Sequence, residues 1–98
     1  MMEINKSVKD NELVIALEGR LDTNTASDLE NEVQNIDGIK KLTFDFEKLE
    51  YISSAGLRIL LSCQKKMSLQ GVMIIKNVND SIKEVFDITG FSDILTVE

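Results

Sequence analysis

The residues best suited to chemistry in this chain lie at one junction, the segment SSAGL at positions 53–57, between an apolar stretch and a predicted helix. A serine just before a helix can accept a hydrogen bond from a free backbone N–H, a role we expect of Ser54, with Ser53 as the alternative. The same hydroxyl can accept a phosphate, because helix N-termini favour anions. The two interpretations are compatible, since an exposed cap can also be a kinase substrate.

Four further residues near the junction each allow a structural and a functional interpretation. Gly56 either packs closely against a strand or leaves clearance for a partner. Asp22 on a neighbouring turn is either a capping carboxylate or an acceptor for a serine hydroxyl that would repel a phosphate. Arg58 is either solvated or contacts an acidic partner or a phosphate. Ile59 either packs beneath the sheet edge or anchors an interface.

Composition excludes several classes of function. The 98 residues contain no histidine, which removes the commonest general base and metal ligand, and we predict neither a cofactor nor a metal site. The net charge of −6 argues against binding to nucleic acid or to anionic lipid. The single cysteine, Cys63, is predicted to be a buried, inert thiol. Neither a membrane span nor a signal peptide is apparent, so a cytoplasmic location is expected.

An enzyme that uses Ser54 as its nucleophile is a poor fit to these residues. Without histidine, the base would have to be a lysine or a carboxylate, and Leu57 stands three residues after Ser54 where a lysine would be needed. We therefore predict a binding protein rather than an enzyme.

Hydrophobic periodicity predicts alternating strands and helices. Strands are predicted at 3–8, 12–18, 41–47, 72–75 and 94–97. The first helix is expected to have Thr23, Asn24 or Thr25 as its cap and to run to residue 36. The second is expected over 55–69, and the third between Asn79 and Gly90.

The resulting order is β-β-α-β-α-β-α-β, an α/β fold in one domain over residues 1–98. It predicts a mostly parallel sheet that begins with a β-hairpin. Both faces of the strand at 12–18 are apolar, which indicates a strand covered on both sides. The carboxyl ends of the strands would bring residues 19–22, 51–56 and 77–79 to one edge, where α/β sheets bind their ligands.

The chain resembles a STAS domain of the anti-sigma factor antagonist type over nearly its whole length. The similarity lies in GRLDTNTA (19–26), LTFDFEKLEYISSAGLRILL (42–61), VMIIKNVNDSIKEVFDITGF (72–91) and the terminal ILTVE. It implies a monomer that binds an anti-sigma factor of the GHKL serine kinase type and thereby frees a sigma factor for transcription. The kinase would inactivate it by phosphorylating the matching serine, Ser54, and a phosphatase would reverse this. Asp22 matches the family's aspartate near that serine.

Two positions depart from the family pattern. Many members have aspartate where Ser53 stands, which leaves Ser53 as an alternative phosphoacceptor, and some have glycine where Arg58 stands. The resemblance also allows a second function, that of a STAS subunit bound to a transporter ATPase without a phosphorylation switch. We predict partner binding by Asp22, Ser53, Ser54, Gly56 and Arg58.

Overall fold

The computed structural model describes residues 2–98, which form a four-stranded sheet in the order β1-β2-β3-β4. The hairpin of β1 and β2 is antiparallel, and the pairs β2–β3 and β3–β4 are parallel. This confirms the predicted α/β class and the mainly parallel sheet. The elements are β1 Met2–Lys9, β2 Glu12–Leu21, α1 Thr23–Glu32, β3 Lys41–Ile52, α2 Ser54–Ser68, β4 Val72–Lys76, α3 Asp80–Thr89 and a 3₁₀ turn at Phe91–Asp93.

The core lies on one face of the sheet. In β2, Leu13, Ile15 and Leu17 are buried, whereas Val14, which points the other way, is 36% exposed. The alternation continues in β3 and β4, and the buried faces of the helices belong to the same cluster. The prediction that β2 is covered on both sides is therefore wrong, because the second face of the sheet is open to solvent.

Strand β3 is longer than predicted because two irregularities interrupt its alternation. Its register with β2 shifts twice, between Ala16 and Glu18 and again between Gly19 and Arg20, and β3 contributes one extra residue at each place. Such bulges bend a strand and change which side chains face inward. As a result Leu49 and Ile52 lie on the core face, and the strand continues to the start of α2.

Two other predicted elements differ from the structure. Helix α1 ends at Glu32, although Val33 and Ile36 are buried as predicted. No regular strand forms at 94–97 within the described chain: Val97 makes an isolated parallel bridge with Ile75 after the 3₁₀ turn. The hydrogen bonds of this bridge involve only Ile75 on the β4 side, so the C-terminal segment does not form a further strand of the sheet.

Candidate functional site

The turns after β2 and β3 meet at one corner of the sheet. Leu21 and Ile52 are register partners, and the Ser53 N–H donates to the Leu21 carbonyl at 2.8 Å. This hydrogen bond continues the ladder by one residue and fixes Ser53 beside the turn that contains Asp22. The predicted proximity of residues 19–22 to residues 51–56 is confirmed.

The third predicted turn follows β4, which ends before β3 does. Strand β4 ends at Lys76, whose register partner is Asp45, well before the end of β3. Asn77 donates to the Asp45 carboxylate at 2.9 Å, and Asn79 donates to the Leu49 carbonyl at 3.0 Å. Leu49 is the register partner of Gly19, so residues 77–79 lie at the same end of the sheet as residues 19–22, although β3 continues past them to Ile52.

Ser53, not Ser54, caps helix α2. The Ser53 hydroxyl accepts a hydrogen bond from the Gly56 N–H at 3.3 Å, and the Ser53 carbonyl accepts the first helical bond from Leu57 at 3.0 Å. Ser54 is the first helical residue and its side chain is exposed. The assignment of the cap to Ser54 is thus corrected, because the β-ladder bond to Leu21 holds Ser53 in the extended conformation that a cap requires.

Gly56 is buried, and its role is close packing. A Cβ atom at this position would lie 2.6 Å from Leu21 Cγ and 3.0 Å from Ile52 Cγ1. The helix start therefore lies directly against the ends of β2 and β3. The close-packing interpretation of Gly56 is therefore confirmed, because an added Cβ would point at Leu21 and Ile52 rather than outward. Its assignment as a partner-contact residue stays a prediction. Ile59 is only 8% exposed and packs in the core rather than anchoring an interface.

Asp22 is the N-cap of α1, which confirms its interpretation as a capping carboxylate and corrects the alternative that residue 23, 24 or 25 is the cap. Its carboxylate accepts hydrogen bonds from the N–H groups of Asn24 and Thr25, each at 3.0 Å, and the Thr25 hydroxyl accepts from the Asp22 N–H at 2.8 Å. These bonds, above all the one from the Thr25 N–H, lower the pKa of Asp22 below its usual 3.8. The carboxylate places a negative charge beside the Ser53–Ser54 turn, but its hydrogen bonds are made to the first residues of α1.

Sequence reasoning missed the pair formed by Arg20 and Tyr51. The two residues are register partners, and the guanidinium carbon lies 4.1 Å from the centre of the tyrosine ring, a cation–π contact. Tyr51 is 40% exposed. The pairing depends on the second register shift of β3, so strand alternation alone does not reveal it. Together with exposed Arg58 on α2, Arg20 gives this corner two cations in an acidic protein.

The remaining chemical groups of the described chain offer little reactivity. Cys63 is buried as predicted, and desolvation raises the pKa of its thiol to about 11. Among residues 2–98 no three carboxylate or cysteine side chains gather as a set of metal ligands. None of the helices in this range combines the length and hydrophobicity needed to cross a bilayer. The corner formed by Asp22, the two serines, the Arg20–Tyr51 pair and Arg58 is therefore the candidate site, and we call it the Ser54 corner.

Comparison with known proteins identifies the family. The model of the STAS domain matches residues 3–98. The chain belongs to the STAS domain family. BtrV of Bordetella bronchiseptica, which is named as an anti-sigma factor antagonist, is 33% identical over 99 residues, a match that covers 98% of this chain and 85% of BtrV. The anti-sigma-B factor antagonist of Staphylococcus aureus is 26% identical, with 98% of this chain and 92% of that protein covered.

Solved structures share the STAS fold. An anti-sigma factor antagonist from Mycobacterium paratuberculosis superposes with a TM-score of 0.89 at 20% identity, covering 99% of this chain and 85% of that one. The phosphorylated form of the Bacillus cell fate determinant SpoIIAA gives 0.75 at 19%, with coverage of 100% and 91%. A sulfate transporter family protein from Wolinella succinogenes gives 0.78 at 18%, with coverage of 94% and 80%. At these identities the likeness concerns the fold.

Proposed function

We propose that this STAS domain is a phosphorylation-switched anti-sigma factor antagonist. Its unphosphorylated form binds an anti-sigma factor that is also a GHKL-type serine kinase, and phosphorylation of Ser54 releases that partner. A serine phosphatase restores binding, and the cycle controls sigma-dependent transcription in the cytoplasm. Family membership supports the class of partner. The observation on which the switch rests is that Ser54 is exposed at the first residue of α2 while Ser53 serves as the cap.

The positions of the two serines favour Ser54 as the phosphoacceptor. A kinase needs a hydroxyl that can enter its active site, and the exposed Ser54 side chain meets that need. The Ser53 hydroxyl is half-buried and bonded to the Gly56 N–H, so its phosphorylation would remove the cap of α2. Loss of such a cap typically costs about 1 kcal/mol. Modification of Ser54 leaves the cap in place.

A phosphate on Ser54 is compatible with the folded domain. It would lie at the positive end of the α2 dipole, where an anion stabilises a helix. Arg58 follows four residues later on the same exposed face, at the spacing where an acidic group and a base attract each other. The fold would therefore persist while the surface gains about two negative charges.

The same charge would weaken the complex if the partner presents carboxylates. Two like charges about 4 Å apart repel by roughly 4 kcal/mol at an effective dielectric constant near 20. Since about 1.4 kcal/mol changes affinity tenfold, a fraction of this repulsion releases the partner. In this scheme Arg20, Tyr51 and Arg58 are the contact residues of the unphosphorylated surface, and Asp22 supports the neighbouring turn.

The test is to incubate the protein with candidate anti-sigma kinases and ATP, then to locate added phosphate by mass spectrometry of intact and digested chains. We expect one phosphate on Ser54, unchanged modification in Ser53→Ala and none in Ser54→Ala. Phosphate on Ser53 with Ser54 unmodified would reject the assignment. Absence of modification by every kinase that binds the domain would reject the switch.

Binding measurements give a second arm. Ser54→Ala should retain affinity for the kinase, and Ser54→Asp should fold normally but bind at least tenfold more weakly. Ser62→Asp is the matched control, because Ser62 is an exposed serine on the same helix and the substitution adds the same charge. Equal affinities for the two aspartate variants would argue against a site-specific effect.

A STAS subunit of a transporter ATPase complex is the second candidate function. Its only support is the fold shared with the sulfate transporter family protein. It predicts stable co-purification with a membrane ATPase and no effect of Ser54→Asp on that association. The affinity of Ser54→Asp for each class of partner therefore separates the two functions.

A further inference from the structure

The two outer edges of the sheet differ in how they are covered. At β4, the Ile75 N–H donates to the Thr96 carbonyl at 2.9 Å and the Ile75 carbonyl accepts from the Glu98 N–H at 2.8 Å, so the C-terminal segment covers that edge in part. At the other edge, all eight residues of β1 pair with β2 without a register shift, and no other strand of residues 2–98 pairs with β1. The outer side of β1 therefore presents an uninterrupted row of backbone donors and acceptors that another strand can use.

We propose that the outer edge of β1 pairs with β1 of a second copy of this chain, antiparallel and about a two-fold axis at Lys6. Such an axis requires directly opposed residues to lie on the same face of the joined sheet, so their numbers must differ by an even amount. With Lys6 at the axis, Glu3 lies opposite Lys9 of the second copy, Ile4 opposite Val8, and Asn5 opposite Ser7. This association goes beyond the proposed function and differs from the monomer expected from the sequence.

Charge complementarity favours this partner and this register. Within its own sheet Glu3 lies opposite Glu18, a like-charge pair that destabilises a strand pair. Lys9 of the second copy places a cation on the other side of Glu3, and the two-fold axis makes this contact twice. The two Lys6 side chains meet at the axis, where they repel each other; the bridge from Lys6 to Glu32 of α1 at 3.2 Å is solvent-exposed and reduces this repulsion only in part.

Lysine on an edge strand usually prevents pairing with other chains. In β1, however, each lysine has acidic neighbours: Glu32 for Lys6, and for Lys9 both Glu12 of its own sheet and Glu3 of the second copy. Charge repulsion by the lysines therefore disfavours other registers of β1 against the second copy more than it disfavours this one. They select a defined dimer rather than indefinite edge-to-edge aggregation.

Apolar contact favours the same register. Val8 is 62% exposed, and Ile4 is partly buried against the core on the same face. In the dimer the Val8 side chain of each copy lies opposite Ile4 of the other, so both lose exposed apolar surface. The joined sheet would have eight strands with the helices of both copies on one face. Its two ends would be the β4 edges, which the C-terminal segments partly cover.

The test is a charge exchange measured by analytical ultracentrifugation and native mass spectrometry over a range of protein concentrations. We expect the unmodified protein to dimerise reversibly. In Glu3→Lys and in Lys9→Glu both cross-copy pairs become like-charged, so each variant should dimerise about tenfold or more weakly. The double variant Glu3→Lys/Lys9→Glu restores opposite charges and should dimerise again.

Mixing the two single variants is the decisive measurement. Glu3→Lys and Lys9→Glu should form a mixed dimer more readily than either associates with itself, because both cross-copy pairs are then oppositely charged. Glu84→Lys and Lys83→Glu are the matched controls, since they change the net charge equally at exposed positions of α3. An unmodified protein that stays monomeric at its solubility limit would overturn the proposal. Mixed dimers no more frequent than the homodimers would also overturn it.

Discussion

The substitution Gly56→Ala tests the packing at the start of α2 directly. The added methyl would lie 2.6 Å from Leu21 Cγ, 2.9 Å from Leu21 Cδ2 and 3.0 Å from Ile52 Cγ1. Leu21 is fully buried and Ile52 nearly so, so neither side chain has free space into which to move. Overpacking of this kind costs about 1–3 kcal/mol. Because the shortest contact is 2.6 Å, we expect the upper part of this range, about 2–3 kcal/mol. The better helix propensity of alanine returns up to about 1 kcal/mol, which leaves a net loss of at least roughly 1–2 kcal/mol.

Urea unfolding followed by circular dichroism measures this loss of free energy of unfolding. In a separate thermal unfolding experiment, we expect the midpoint temperature to fall by about 5–15 °C for a domain of this size. Ser54→Ala is the control, because it alters an exposed side chain in the same helical turn. Leu21→Ala removes both atoms nearest the new methyl, so in a double-mutant cycle Gly56→Ala should cost less in that background. The close-packing argument is refuted if Gly56→Ala is as stable as the unmodified protein, or if the cycle shows no coupling.

Three further predictions concern the other caps and the buried thiol. Asn79→Ala removes both the cap of α3, accepted from Ile82, and the bond donated to Leu49, and should lower the free energy of unfolding by about 1–2 kcal/mol. Asn79→Asp keeps the oxygen that caps α3 but loses the amide that donates to Leu49, so its free energy of unfolding in urea should be lower than that of the unmodified protein. Because burial raises the pKa of Cys63 to about 11, a thiol reagent at pH 8 should modify it only as fast as the chain unfolds; rapid labelling of the native protein would contradict this. The pKa of Asp22 is lower in the folded protein than in the unfolded chain. The ionised carboxylate therefore stabilises the fold fully at a pH above the pKa of the unfolded chain, and this stabilisation is lost as the pH falls through the pKa of the folded protein. Asp22→Asn should therefore flatten the acid limb of the stability curve, and an unchanged limb would contradict the capping geometry.

Local patterns were sufficient to predict most of the fold. The alternation of Leu42, Phe44 and Phe46 places β3 in the core, and Asn79 and Gly90 bound α3 as expected. These signals are short-range: side-chain periodicity and cap preference depend on neighbours a few residues apart. The resemblance in the segments that surround the two serines identified the family, which the match over residues 3–98 confirms.

The errors arose where tertiary contacts decide the structure. The two bulges of β3 depend on its pairing with β2, so sequence alternation predicted a strand that stops at residue 47 instead of Ile52. The choice of Ser53 as the cap depends on its hydrogen bond to Leu21, a residue more than thirty positions away. The burial of Gly56 depends on the same strand. Each of these contacts joins segments distant in sequence, and no local pattern encodes them.

In the proposed switch, the pair of serines would divide two tasks that a single serine would have to combine. If one hydroxyl both capped α2 and accepted the phosphate, modification would replace the cap bond to the Gly56 N–H and could shift the helix start that packs on Leu21. With Ser53 bonded to the helix and Ser54 exposed, the cap and the packing beneath it stay unchanged when charge is added outside. The relevant difference between the two states is then electrostatic and confined to the surface. This arrangement would suit the reversible switch that we propose, because removal of the phosphate would restore the original surface without any refolding of the domain.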